Sequence, residues 1–102
     1  MNNNTKTMKE MAREIHSTAR EKGFWEGGDR NFLEALMLIV SEAGECCEAY
    51  RKQEKGKMAE ELADIIIRTI DLAEGFGIDI EKEVLQKMEY NKTRPYKHGK
   101  IA

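Results

Sequence analysis

Glu42-Ala-Gly-Glu45 and Glu61-Leu-Ala-Asp64 each set two acids three residues apart in a stretch whose apolar residues recur at helical spacing, and this constrains the fold more than any other feature. Acids at i and i+3 share one face of a helix, so two such pairs on adjacent helices aim four carboxylates at one volume. A cluster of that kind repels itself. Unless it is solvated it needs a cation, and hard oxygen donors suit Mg²⁺ or Mn²⁺.

The flanking sequence supplies helices to carry the pairs. Thr7 and Glu10 have capping-box spacing, and Met8, Met11, Ala12, Ile15 and Ala19 then predict a first helix over 8–22. His16 within it is expected to pack or face solvent rather than ligate. Gly23 to Arg30 breaks the helix, and its Phe24 and Trp25 either plug the end of a bundle or stack on a flat ligand. Asn31 and Glu34 open a second helix with a stripe of Phe32, Leu36, Ile39, Val40, Ala43, Cys47 and Tyr50, bordered by Glu42 and Glu45 and by Glu48 as an optional third acid.

A short turn is expected over Arg51 to Lys57, which would make the second and third helices antiparallel neighbours. The third helix is predicted to turn Met58, Leu62, Ile65, Ile66, Thr69, Ile70 and Ala73 inward, with Glu61 and Asp64 at the border. Glu60 and Glu61 fall in its expected first turn, where the helix dipole favours acids without any function, but Asp64 lies a turn deeper. Gly75 and Gly77 end the helix, Asp79 caps a fourth carrying Ile80, Val84, Leu85 and Met88, and Pro95 ends that one. No stretch alternates as a strand would. The reading is an all-α, four-helix unit of antiparallel hairpins.

At 102 residues the chain reads as one domain, 1–102, with flexible ends over 1–6 and 97–102, and so small a unit is expected to share its exposed apolar faces with a second copy. A net charge of −2 argues against a nucleic-acid partner, although from Lys87 to Lys100 five Lys/Arg oppose Glu89 alone. The two cysteines, Cys46 and Cys47, are adjacent in a helical pattern where a mutual disulfide is geometrically poor, which favours a reduced, cytoplasmic protein. Ala35 to Val40 is the longest apolar run, far short of the roughly 20 residues that cross a bilayer, so no membrane partner is expected. The first residues lack the apolar core of a secretory signal.

Several chemistries are disfavoured by what the motifs omit. Neither acid pair has the Glu-x-x-His form of di-iron bundles, and there is no phosphate-cradling glycine loop or EF-hand. Thiol catalysis at Cys46 or Cys47 lacks a histidine nearby in sequence. Acid pairs, an aromatic loop and a basic segment together supply what a nucleotide needs: a metal for its phosphates, cations for their remaining charge and a ring for its base.

Lys22-Gly-Phe-Trp, Ser41-Glu-Ala-Gly-Glu-Cys-Cys-Glu-Ala, Glu60-Glu-Leu-Ala-Asp-Ile-Ile-Ile-Arg and Lys87-Met-Glu-Tyr-Asn-Lys-Thr-Arg-Pro-Tyr-Lys-His-Gly-Lys resemble the MazG-like members of the all-α nucleoside triphosphate pyrophosphohydrolase superfamily, over about residues 20–100. The resemblance implies a homodimer or homotetramer that hydrolyses a nucleoside triphosphate to monophosphate and pyrophosphate with Mg²⁺. It implies metal ligands at Glu42, Glu45, Glu61 and Asp64; of these, Glu42 or Glu45 is expected to orient the water, since a metal site of this kind leaves one carboxylate partly free. It also implies substrate contacts from Trp25, Lys87, Asn91, Lys92, Arg94 and Lys97. Two positions depart from the family pattern: Ser41 stands where a further Glu is common, and Cys46-Cys47 replaces a more usual leucine and alanine. Two rivals stay open, a non-catalytic nucleotide-binding or interaction module on the same scaffold and hydrolysis of a phosphoribosyl-nucleotide.

Overall fold

Four helices, α1 (Met8–Glu21), α2 (Phe32–Arg51), α3 (Lys55–Gly75) and α4 (Ile80–Lys92), and a 3₁₀ turn at Tyr96–Gly99 make up the computed structural model, which describes residues 5–99. No strand occurs among the described residues, as an all-α reading requires. Residues 1–4 and 100–102, the outer parts of the ends expected to be flexible, lie outside the described residues. No helix among the described residues is long and apolar enough to cross a membrane.

The helix starts follow the capping residues. Thr7 and Glu10 form a reciprocal capping box, Asn31 Oδ1 accepts from Glu34 N at 3.0 Å, and Asp79 Oδ1 accepts from Lys82 N at 3.1 Å. Bonds to these backbone amides hold the Glu10 and Asp79 carboxyls below their ordinary range.

The turn between α2 and α3 is shorter than the sequence suggests. Gln53, at φ 59°, closes α2, and α3 already runs by Lys55, so Gly56 is helical. This moves Glu60 and Glu61 out of the first turn of α3, which holds no acid, and the dipole no longer explains them.

α3 is the central element, with α2 and α1 packed along it and α4 resting on α1 and α3. The α2 residues turned away from solvent are Ala35, Ile39, Glu42, Cys46 and Ala49, spaced alternately four and three apart. Their counterparts on α3 are Met58, Glu61, Ile65, Arg68 and Leu72, at the same alternation. Two contacts fix the ends of this seam: the Phe32 and Phe76 rings meet edge to face at 5.1 Å, and Cys46 Sγ lies 3.8 Å from Met58 O.

The seam corrects the predicted stripes. Leu36, Val40 and Tyr50 on α2 and Leu62 and Ile66 on α3 were expected inside but are exposed, as are Ala43, Cys47 and Thr69. On α4, Leu85 and Met88 are exposed too. Apolar residues wrap around more than one face of α2 and α3, and periodicity alone does not say which arc meets the partner helix. The arc used places small residues, Ala35 and Ala49, at close approach and takes Glu42 and Glu61 inside with them.

What remains outside is extensive. Leu33, Met37, Val40, Leu62, Ile66, Leu85 and Met88 are each more than half exposed, and no large side chain among the described residues is fully buried. The radius of gyration is 16.0 Å, against about 13 Å for a compact chain of this length.

The Gly23–Arg30 loop is tied down from within. Trp25 is buried, and its indole packs over Gly75 so closely that any Cβ there would overlap the ring. Trp25 therefore packs inside the bundle, with little of its ring open to solvent.

Candidate functional site

Because the seam carries Glu42 and Glu61 inward, the chain brings three carboxylates together. Glu42, Glu45 and Glu61 each offer an oxygen, and these oxygens lie within 4.8 Å of one another. Glu61 is only 6% exposed, and its Oε2 is buried without a hydrogen-bond partner among the described residues. An orphaned buried acceptor beside two further carboxylates fits a divalent cation. Burial, then its proximity to Glu42 and Glu45, pushes the Glu61 carboxyl above its ordinary range, with Lys57 opposing weakly.

A pH dependence follows from that direction. The folded state holds the Glu61 proton more tightly than the unfolded state, so between the ordinary carboxyl pKa and the raised one stability falls as pH rises. In cation-free solution, Glu61→Gln is therefore expected to be more stable than wild type at neutral pH, with the gap closing as pH falls below the ordinary carboxyl range. Thermal melts of both proteins in EDTA across pH 4–8 measure this. A gap that does not depend on pH would contradict it.

Asp64 stands apart from the three. It is exposed and lines a cavity of about 430 Å³ on the α1 side of α3, together with Ile15, Thr18, Phe24, Arg30 and Arg68. Three residues advance a helix by about 300°, so Glu61 in the seam leaves Asp64 turned some 60° away, toward α1. Glu48, the optional acid, pairs with Arg51 at 3.2 Å on the exposed surface.

Arg68 joins the acid cluster to the cavity. Its Nε lies 3.3 Å from Glu42 Oε1, and its guanidinium sits 5.9 Å from the centre of the Phe24 ring, which Arg30 also approaches at 5.4 Å.

Reaching into the cavity wall is a polar hub that sequence reasoning missed. Asp71, 4% exposed, accepts from Trp25 Nε1 at 3.0 and 3.1 Å and from Arg30 Nη1 at 3.2 Å, and its Oδ1 is 2.8 Å from His16 Nδ1. A carboxylate only accepts, so His16 presents Nδ1–H here. One side chain thus fastens α1, the aromatic loop and α3 together. The available signal was an acid and an arginine inside the apolar run Ile65 to Ala73; Arg68 and Asp71 are the charges there.

The predicted substrate contacts on α4 and beyond do not reach this place. Lys87 lies over the Tyr90 ring at 4.8 Å, Arg94 over the same ring at 5.4 Å, Lys92 pairs with Glu89 at 2.7 Å, and Lys97 lies over Tyr96 at 5.9 Å. Asn91 keeps a buried Oδ1 without a partner among the described residues. None of the five lines the cavity, and Trp25 sits behind its wall, where Phe24 provides the exposed aromatic surface.

Residues 31–101 match the family model of the MazG-like family. Over 94 residues the chain is 30% identical to dCTP pyrophosphatase 1 of Rattus norvegicus, an alignment that covers 80% of this chain and 55% of the rat protein. The chain therefore spans about half the length of that relative. No solved structure matches significantly.

Proposed function

The chain belongs to the MazG-like family, and on that premise we propose that it is a nucleoside triphosphate pyrophosphohydrolase that uses Mg²⁺, or Mn²⁺ in its place. The observation that carries the proposal is the meeting of Glu42, Glu45 and the unpartnered, buried Glu61 Oε2 beside a cavity large enough for part of a nucleotide. The activity named in its rat relative, a dCTP pyrophosphatase, points the same way.

Glu42, Glu45 and Glu61 would hold the cation, with Asp64 contributing from the cavity side. When bound, the cation supplies neutralisation of the triphosphate and a more acidic water. Of the two carboxylates that could orient the water, Glu45 is favoured, since Glu42 is engaged by Arg68 and Glu45 has no partner among the described residues. Glu45 takes a proton from the water as its oxygen bonds to the α-phosphorus. The bond from that phosphorus to the bridging oxygen breaks, and pyrophosphate leaves with the bridging oxygen and its electron pair.

A homodimer or homotetramer is part of the proposal. The apolar arcs of α2, α3 and α4 that face solvent, and the open shape of the single chain, support it. Antiparallel pairing of α2 with α3 is supported by the Phe32–Phe76 and Cys46–Met58 contacts. Lys87, Asn91, Lys92, Arg94 and Lys97 would then act on a site across the interface, since they do not reach the site of their own chain. The free cysteines suit a reduced, cytoplasmic setting.

Incubation with the natural NTPs, the dNTPs and phosphoribosyl-ATP, each with Mg²⁺, tests the proposal. Pyrophosphate and a nucleoside monophosphate are expected from at least one triphosphate, with none formed in EDTA. Turnover of phosphoribosyl-ATP alone would move the protein to the second hydrolase reading, and nucleotide binding without turnover would make it a binding module.

A further inference from the structure

Among the described residues, Arg68 is the one cation that touches both the acid cluster and the cavity. It occupies a seam position on α3, and its side chain is about two-thirds buried, which is costly for a guanidinium unless its donors are used. Yet only Nε is paired, with Glu42, and the terminal nitrogens have no hydrogen-bond partner among the described residues. An arginine presents five donors in a planar fork matched to carboxylate or phosphate oxygens. Arg68 lines the cavity with its guanidinium carbon 5.9 Å from the Phe24 ring centre, while Arg30, the other guanidinium there, already donates to Asp71.

The position selects the ligand group. On one side of Arg68 are the carboxylates that would hold the cation and phosphates, and on the other is the cavity open to the rest of the substrate. What bridges those two regions in a nucleoside triphosphate is the α-phosphoryl group. Resting on the pyrophosphohydrolase reading above, we propose that Arg68 is a catalytic residue that donates from its terminal nitrogens to the α-phosphoryl oxygens, and that its pairing with Glu42 is the resting arrangement of the empty site. A cation held by Glu42 would free Arg68 from that pairing and leave its donors for the substrate. Charge accumulates on the α-phosphoryl oxygens during attack, and a guanidinium donating there would act on it.

The test uses Arg68→Met and Arg68→Lys in the full chain. Calorimetric titration with Mn²⁺ alone should show Arg68→Met binding the cation as tightly as wild type or more tightly. Each of the four deoxynucleoside monophosphates and its parent nucleoside is then titrated in the presence of Mg²⁺. For the monophosphates that wild type binds, Arg68→Met should lose about tenfold or more, with nucleoside affinity unchanged and Arg68→Lys in between. Turnover in Arg68→Met should fall by about 10²–10³. Weakened Mn²⁺ binding would overturn the proposal by making Arg68 a support for Glu42, and an equal loss for nucleoside and monophosphate would make it a cavity wall. Wild-type turnover matched by Arg68→Met overturns this inference alone. A wild type that cleaves no triphosphate overturns the pyrophosphohydrolase reading, and this inference with it.

Discussion

Asp71→Ala is expected to destabilise the protein by about 3–5 kcal/mol, because it leaves Arg30, Trp25 and His16 with buried donors and no acceptor. For a domain of this size that lowers the melting temperature by more than about 10 °C. The loss should not come from the helices themselves, since Asp71 caps none of them. It should come from detachment of the Gly23–Arg30 loop, seen as a change in Trp25 fluorescence at temperatures where helical circular dichroism is still near native. A double-mutant cycle with Arg30→Met separates the two contributions. The pair should lose less than the sum of the singles, as expected of residues that share one buried ion pair. Additive losses would mean that Arg30 and Asp71 act separately.

The second large effect concerns catalysis. Glu45→Gln and Asp64→Asn are each expected to reduce turnover by about 10³ or more, with helical content and melting temperature close to wild type. Both side chains are exposed, so neither substitution disturbs packing. The two should differ in cation binding. Glu45→Gln removes a member of the three-carboxylate cluster and should weaken Mn²⁺ affinity sharply, whereas Asp64→Asn, outside the cluster in the single chain, should weaken it less. Wild-type-like rates in both variants would remove the acid pairs from the mechanism.

Much of the architecture was legible because local chemistry and fold agree. Thr7 with Glu10, Asn31 with Glu34, and Asp79 each sit where a side-chain acceptor meets orphan amides, and α1, α2 and α4 begin there. The acid pairs were legible as spacing, but their setting was not. They were expected at the border of apolar stripes, whereas Glu42 and Glu61 lie in the seam itself. The reason is that α2 and α3 carry apolar residues around a wide arc, and a chain that leaves Leu36, Val40, Leu62 and Ile66 exposed can bury any of several faces. Patterning identifies an amphipathic helix well only when one side is clearly polar.

The burial of Trp25 was illegible for a different reason. It depends on contacts between residues far apart in sequence, with Asp71 and Gly75, that no local spacing encodes. The basic residues near the C-terminus illustrate a third limit. Their composition suggested phosphate binding, but within the chain they pair with their own neighbours, Lys87 and Arg94 with Tyr90, Lys92 with Glu89 and Lys97 with Tyr96, away from the acids.

The account rests on water attacking the α-phosphorus of a triphosphate. Hydrolysis in H₂¹⁸O, with mass analysis of both products, reads this directly. The account predicts one ¹⁸O in the nucleoside monophosphate and none in the pyrophosphate. Label in the pyrophosphate, or release of orthophosphate with a nucleoside diphosphate, would contradict it.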